Sequence, residues 1–287
     1  MSRTRALALL VGATVVWGAT FSVVKGALAD TGPFTFLALR FSLAALLLLP
    51  ALGGGLRSRA LSGPVLWCGI ALFAGYAFQT VGLASTTPAR SAFITALSVV
   101  MVPLVEPLLG LAAFSRRVVL GAVLALAGLG VLLRPEAEAV RLGDWLTLGC
   151  AAAFAVHVLA LNAAVQRTPP HQVNALQVAL LAVLALPAAG LEGFAVTPTP
   201  RLGVALVVTA GLATVAAFWA MAAAQQAVTA AETAVVLAFE PVAAAAISVF
   251  LREDVMSVRL AAGGGVVVLG VLLAIRGAKN SYAQRDP

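Results

Sequence analysis

Two carboxylates stand directly before prolines inside long apolar stretches, at Glu106-Pro107 and Glu240-Pro241. Proline cannot donate a backbone hydrogen bond, so each one leaves the carbonyl four residues earlier unpaired. Inside a membrane, such carbonyls and an ionised acid are tolerated only beside protein, water or a partner charge. We therefore predict that both pairs lie in kinked helices, at matching places in two halves of the chain, and bind an amine, a cation or a proton. The alternative register, shifted by about four residues, matches Pro241 with Pro103 in place of Pro107.

Small hydroxyl side chains accompany the two acids at three- and four-residue steps, which places them on the same helix face. Thr229, Thr233 and Ser248 accompany Glu240 in this way, and Ser91, Thr95 and Ser98 approach Glu106. We interpret Glu240, Glu106 and Thr95 as substrate-binding residues. The alternative for each acid is a buried carboxyl group that only fixes helix packing.

Five further side chains within apolar stretches could line a binding site. Trp17 is predicted at mid-membrane, although tryptophan prefers the headgroup region, so we expect it to line a cavity. His157 could bind substrate, move a proton or simply pack in the core. The remaining candidates are Tyr76 and Gln79, which share a helix face, and Trp219, which fits either the cavity or the aromatic belt.

Two cations fall inside predicted membrane segments, Lys25 and Arg40. Their long stems allow the charge to reach the membrane surface, which is one interpretation. The other is contact with a substrate carboxylate. A zwitterionic substrate needs one cation and one anion on its path, and Arg40 or Lys25 with Glu240 would supply them.

Composition identifies an integral membrane protein. Of 287 residues, 62% are hydrophobic and only 10% are charged, with a mean hydropathy of +1.05, whereas soluble domains carry about 25% charged residues. The net charge of +7 does not indicate nucleic-acid binding, because the basic residues lie singly or in pairs between apolar runs. Cys68 and Cys150 both fall inside apolar runs and suggest neither a disulfide framework nor a metal site.

Apolar runs of about 20 residues, the length needed to cross a membrane, predict ten transmembrane helices joined by short turn-rich links. The predicted spans are 6–28, 33–52, 65–84, 91–113, 118–133, 143–165, 172–190, 202–224, 231–251 and 259–276. The fold class is thus an all-α polytopic membrane protein.

Lys and Arg predict the orientation. Ten lie on the side of the N-terminus and six on the other, so the positive-inside rule places both termini in the cytoplasm. We expect a bacterial-type inner (plasma) membrane location. A cleaved signal peptide is the alternative for the first span, but the run from Ala6 to Leu28 is longer than the usual signal core and contains Trp17.

The chain is predicted to be an internal duplication, with residues 1–137 and 138–287 each forming a five-helix repeat. "LAAGGGVVVLGVLL" near the end is similar to "LGAVLALAGLGVLL" before Pro135. Because five is odd, the second copy enters the membrane inverted. Inverted repeats around a central cavity are a common plan of secondary transporters.

Several segments resemble the EamA-like branch of the drug/metabolite transporter superfamily. They are "VVWGATFSVVKGAL", "ALRFSLAALLLL", "GDWLTLGCAAAFAVHVLAL" and "AAETAVVLAFEPVAAAAISVFLRED", the last ending in a motif with Glu253. The resemblance covers nearly the whole chain. It implies ten helices in two inverted repeats, a cavity open alternately to each side, and export of amino acids or related metabolites.

The predicted function is therefore a secondary transporter, most simply an amino acid exporter, with a multidrug or cationic-compound exporter as the alternative. No catalytic or phosphate-binding motif favours an enzyme, and no cofactor is expected. A structural or receptor-like membrane protein would leave the duplicated polar residues of the spans without a purpose, and no ring of repeated charges indicates the filter of a channel. Proton coupling and facilitated flux both remain open, as does a homodimer through the glycine-rich fifth and tenth spans.

Overall fold

A computed structural model of the chain describes residues 1–52, 63–83, 85–86, 88–134, 139–250 and 255–282. All regular structure in these residues is helical, apart from one isolated bridge between Thr31 and Val196. Glu253 lies outside the described residues, as does the side chain of Lys25.

The described residues form a succession of α-helices with two short segments of other winding. The α-helices are α1 (Arg3–Ala27), α2 (Pro33–Leu48), α3 (Gly63–Leu83), α4 (Pro88–Thr95), α5 (Ser98–Leu108), α6 (Arg116–Leu133), α7 (Leu142–Val165), α8 (Pro170–Glu192), α9 (Pro200–Val208), α10 (Ala217–Ala224), α11 (Ala230–Leu237), α12 (Glu240–Phe250) and α13 (Val258–Tyr282). A 3₁₀ turn, Leu49–Leu52, follows α2, and a π-helix, Thr209–Ala216, joins α9 to α10.

Nine helical segments in this part of the chain are long and apolar enough to cross a membrane. The predicted all-α membrane fold is confirmed, while the count of ten stays a prediction, with α1 as the further long helix.

Many large apolar side chains point away from the protein interior. Leu46, Val183 and Leu272 are examples, with exposed fractions of 62%, 61% and 45%. Such side chains would face water in a soluble protein, where extended apolar surface is rare. In a bilayer they contact lipid, so the outer surface agrees with the apolar composition.

The predicted fourth and ninth spans are each divided into two helices. The breaks lie at Ala96–Leu97, between α4 and α5, and at Ala238–Phe239, between α11 and α12. Pro241 is the second residue of α12, where a missing N–H costs little, so the second break has a visible cause in the sequence. Pro107 causes no such break, since α5 continues through it to Leu108.

Helix starts in the two halves recur at a constant spacing. α4 and α11, α5 and α12, and α6 and α13 each begin 142 residues apart, at Pro88 and Ala230, Ser98 and Glu240, and Arg116 and Val258. At this spacing Glu240 corresponds to Ser98, and Glu106 corresponds to Ser248. The expectation that the two Glu-Pro pairs occupy matching places is therefore wrong: one ends a helix and the other begins one.

Glycines bring α6 and α13 into close contact. A Cβ atom on Gly121 would lie 2.5 Å from the Gly270 carbonyl oxygen, and one on Gly128 would lie 2.8 Å from that of Gly263. Side chains at these positions would hold the backbones apart. The glycine-rich stretches thus pack against each other within the chain.

The other long helices also pair between the halves. α2 packs on α8, α3 on α7, and α1 on α10 and α12. These contacts bring α1, α2, α3, α8, α10 and α12 around the middle of the molecule, where most of the candidate residues lie.

Candidate functional site

The π-helix Thr209–Ala216 accepts hydrogen bonds from two other helices. Trp17 Nε1 donates to the Ala213 carbonyl at 2.8 Å, and Asn174 Nδ2 donates to the Val215 carbonyl at 3.1 Å. Wide helical turns of this kind recur at functional sites. The segment therefore organises polar side chains from α1 and α8 around one point.

Arg40 on α2 also reaches this segment. Its side chain is buried, and Nε donates to Thr214 Oγ1 at 2.9 Å, while that hydroxyl donates to the Thr209 carbonyl at 2.9 Å. The guanidinium lies 5.0 Å from the centre of the Phe41 ring and interacts with the Tyr76 hydroxyl. Among the described residues Arg40 has no carboxylate partner, although burial of an unpaired charge is costly.

Tyr76 on α3 links this cation to the acid of α12. Its hydroxyl interacts electrostatically with both Arg40 and Glu240, and its ring contacts Phe41 and Phe154, with centroids 5.5 Å and 5.8 Å away. The site thus has opposite charges around one phenol and an aromatic wall. We call Arg40, Tyr76 and Glu240 the central triad.

Glu240 begins α12, immediately after the break, and is half-buried. Gly18 sets its position, since a Cβ there would lie 3.0 Å from the Glu240 carbonyl oxygen and 2.8 Å from the Ala244 nitrogen. Only a glycine at this point allows α1 to approach the start of α12 so closely. Among the described side chains, none donates a hydrogen bond to the Glu240 carboxylate.

Thr95 ends α4 next to the central triad. Its hydroxyl lies 3.8 Å from the sulfur of Cys150 on α7, and Cys150 in turn interacts electrostatically with Tyr76. The structure therefore brings Thr95 close to Tyr76, together with a cysteine that sequence reasoning did not select.

His157 belongs to a buried amide network. Its Nε2 lies 2.9 Å from Gln177 Oε1, and Gln177 Nε2 donates to Asn174 Oδ1 at 3.2 Å, which leads back to the π-helix. The ring of Phe218 lies 6.2 Å from His157 and 5.3 Å from Trp17, measured between centroids. His157 and Trp17 therefore share one wall of the same region.

Glu106 lies apart from the central triad. Its two carboxylate oxygens accept hydrogen bonds from the backbone N–H groups of Ala230 and Ala231, at 2.8 Å and 3.2 Å. These are free donors at the first turn of α11, where a negative charge is favoured. A small recess lined by Pro103, Thr229 and Ala231 opens beside Glu106, but Glu106 stands 11 residues beyond Thr95, roughly 16 Å along the helix.

The remaining two candidates, Gln79 and Trp219, contribute less to this site. Gln79 is half-buried on α3, one turn after Tyr76. Trp219 is 43% exposed, whereas the adjacent Phe218 is 4% exposed. Trp219 therefore faces away from the wall formed by Trp17, Phe218 and His157.

The acids differ in whether they have partners. Six of the chain's acids lie in the described residues, and Glu240 is the one whose carboxylate has no hydrogen-bond or ion-pair partner there. The other five bind as follows: Asp30 to Arg201, Glu106 to α11, Asp144 to Arg90, Glu192 to the start of α2, and Glu232 to Arg3. Arg201 and Thr199 hold the pKa of Asp30, which lies outside the spans, below its usual range.

The arrangement suits binding more than chemistry. Within the described residues, no three His, Cys, Asp or Glu side chains come together as metal ligands. A buried cation, a nearby acid and aromatic rings can hold a small charged solute. Sequence reasoning missed Asn174, Gln177 and Thr214, although polar residues inside apolar runs are a visible signal.

The sequence matches one known protein family in both of its halves. The model of the EamA-like transporter family matches residues 4–134 and again residues 141–276. Together the two matches cover nearly all of the sequence, and their boundary falls between α6 and α7.

Individual proteins agree with this match. A protein of Archaeoglobus fulgidus described as an uncharacterized transporter is 31% identical over 265 residues, covering 90% of this chain and 82% of its own length. A solved crystal structure of a protein, 23% identical in sequence, superposes with a TM-score of 0.85 and covers 97% of this chain and 99% of that one. The second likeness concerns the fold alone.

Proposed function

The chain belongs to the EamA-like transporter family, and we propose that it carries a small zwitterionic metabolite, specifically an amino acid, across the membrane. The proposal depends on one observation. Arg40 is buried among neutral partners, and Glu240 interacts with the same tyrosine.

The central triad supplies complementary charges for such a solute. Arg40 would bind the carboxylate, because a guanidinium offers paired N–H donors to a carboxylate. Glu240 would accept the ammonium group. Trp17 and Phe218 would enclose the side chain, and each charge of the protein would then have a partner.

Transport would proceed by alternating access. In this proposal, residues 1–137 and 138–287 are inverted repeats that enclose a central cavity and open it to one side at a time. Export from the cytoplasm, across a bacterial-type inner membrane and with both termini inside, is the direction we propose. Glu240 or His157 would carry a proton if transport is coupled, and passive flux is the alternative.

A thermal-shift series on the purified protein tests the substrate class. An amino acid should raise the melting temperature more than the matching amine without a carboxylate, or the matching acid without an amine, because a ligand stabilises only the state that it binds. The best amino acid is then tested for exchange in proteoliposomes.

Arg40→Gln is the decisive variant. Loss of a charged hydrogen bond of about 1.5–3 kcal/mol should weaken amino-acid binding roughly 10- to 150-fold, while binding of the matching amine should change little. Arg116→Gln, an exposed arginine at the start of α6, is the control. An unchanged preference for the amino acid in Arg40→Gln would overturn the proposal.

The runner-up is an exporter of lipophilic cations. The aromatic cluster of Phe41, Tyr76 and Phe154 favours it, because cations bind aromatic faces and Tyr76 of this cluster interacts with Glu240. A melting shift with lipophilic cations alone, unaffected by Arg40→Gln, would support this function in place of amino acid transport.

A further inference from the structure

An ion pair ties α1 to α11. Arg3 Nη2 contacts Glu232 Oε1, and the same nitrogen donates to the Ile275 carbonyl on α13 at 2.6 Å. The Glu232 side chain is completely buried and that of Arg3 is 26% exposed. One guanidinium group therefore holds three helices together where α1 begins.

A second ion pair ties α4 to α7. Arg90 Nη2 lies 2.8 Å from Asp144 Oδ2, with side chains that are 12% and 5% exposed. Thr86 donates to the other oxygen of Asp144 at 2.7 Å. This pair holds the first turns of α4 and α7 together.

The two pairs occupy corresponding positions with opposite charges. Arg90 is the third residue of α4, and Glu232 is the third residue of α11, at the constant spacing of 142 residues. Their partners lie in the first turns of α7 and α1, the first helices of the opposite halves. Arg90 and Glu232 are thus matched across the duplication, while the cation and the acid are exchanged.

The two pairs also lie at opposite ends of the molecule. Arg90 lies in the first turn of α4, whereas Glu106 at the end of α5 binds the start of α11 beside Glu232. The α4–α5 stretch is about 20 residues long, roughly 30 Å at 1.5 Å per residue, which is the thickness of the membrane core.

The cations of both pairs stand where a helix disfavours them. The start of a helix carries partial positive charge, so an arginine in the first turn is unfavourable on its own. Arg3 and Arg90 are therefore explained by their partners and not by helix stability.

We infer that these pairs are the two locks of the transport cycle: Arg3–Glu232 must break for the central triad to open at one face, and Arg90–Asp144 for it to open at the other. The inference rests on the proposed transport function. It assigns a role in transport to the four residues of the two pairs, all of which lie away from the central triad. These residues would determine at which face of the membrane the protein opens.

The connection to the centre runs through the helix breaks. Glu232 lies on α11, which joins α12 at Ala238–Phe239, directly before Glu240. Arg90 lies on α4, which ends at Thr95 beside Cys150. Release of either lock would thus free a short helix whose far end borders the central triad.

A cysteine of the native sequence, Cys150, can report how accessible the central triad is from each face. Cys68 and Cys150 are its only cysteines, so Cys68→Ala leaves Cys150 as a single thiol beside Tyr76. Its reaction with a membrane-impermeant methanethiosulfonate is measured from each face, in intact cells and in inside-out vesicles. Cation variants are used because they leave the acids, which also cap helices, in place.

Arg3→Gln should raise the reaction rate of Cys150 from the face on which α1 begins, by a factor on the order of ten, the usual scale of coupling between sites. Arg90→Gln should raise it from the opposite face. Arg3→Lys and Arg90→Lys should restore most of the protection, since lysine keeps the charge. Arg201→Gln breaks the Arg201–Asp30 ion pair, which lies at the same end of the molecule as Arg90 but does not involve α4. This variant should change neither rate.

The outcomes separate the two proposals. Equal gains from both faces, gains from the same face in both variants, or no gain in either would each overturn the lock assignment. Because the thiol reaction needs no substrate, opposite-sided gains uphold the locks even if amino acids give no melting shift, in which case only the proposed substrate class fails.

Discussion

Glu106-Pro107 and Glu240-Pro241 have the same sequence and contrasting surroundings. Glu106 ends α5, is 3% exposed and receives two N–H bonds from the start of α11. Glu240 begins α12 beside Tyr76 and receives no hydrogen bond from the described side chains. The difference shows that an acid inside an apolar span can hold two halves together or stay available for a ligand, according to the helix end at which it stands.

Glu192 repeats the behaviour of Glu106 at the other end of the molecule. Its carboxylate accepts from the Thr35 N–H at 2.8 Å and from the Thr35 hydroxyl at 2.7 Å, at the start of α2. Each acid ends a helix of one half and caps a helix of the other half. These two fastening acids therefore lie toward the ends of the molecule, whereas Glu240 lies near its centre.

The largest expected effect concerns Glu240. If it binds the substrate ammonium, Glu240→Gln should slow amino-acid exchange in proteoliposomes by at least tenfold, given about 1.5–3 kcal/mol for a charged hydrogen bond. The melting temperature without substrate should hardly change. Ser98→Ala, at the corresponding position of the other half, is the control. Normal exchange by Glu240→Gln would remove the contrast with Glu106.

Glu106 should respond in the opposite way. Glu106→Ala leaves two buried N–H groups without acceptors, which should lower the free energy of unfolding by about 1–3 kcal/mol, measured by melting in detergent. Glu106→Gln keeps one oxygen acceptor and should lose less. Ser248→Ala, at the matched position, should be neutral. A stable Glu106→Ala protein that fails to bind amino acids would instead place Glu106 in the substrate site.

The smallest effect is expected at Asp30. Its pKa is held below the usual aspartate value by Arg201 and Thr199, so the interaction stabilises the fold above the unfolded pKa of about 3.9 and is lost as the pH falls through the folded pKa. The melting temperatures of the wild type and Asp30→Asn should differ slightly at pH 7 and converge in acid. A difference that grows on acidification would contradict this assignment.

Much of the fold could be predicted because a membrane span is recognised from the apolar composition of a local stretch of sequence. The apolar run predicted as 33–52 is observed as Pro33–Leu48 and the turn Leu49–Leu52. The break before Pro241 has a local cause. The break at Ala96–Leu97 and the π-helix have no comparable signal, because neither contains a proline and both depend on packing with other helices.

The site was predictable in its residue types and not in its partners. Arg40, Tyr76 and Glu240 stand out in the sequence as polar groups in apolar runs, but their proximity depends on the packing of α2, α3 and α12. In the sequence, Arg3 indicates only the orientation of the chain, because its partner Glu232 is 229 residues away. The matching of the two Glu-Pro pairs failed because a shared dipeptide does not fix helix register.

The ion pairs also bear on how the two halves of the chain assemble. Residues 1–137 supply both cations, Arg3 and Arg90, and residues 138–287 supply both acids, Asp144 and Glu232. Either half alone would leave two charges unpaired in a medium of low polarity, which is costly. The charges therefore favour the joining of the two halves over the packing of one half on a second copy of itself.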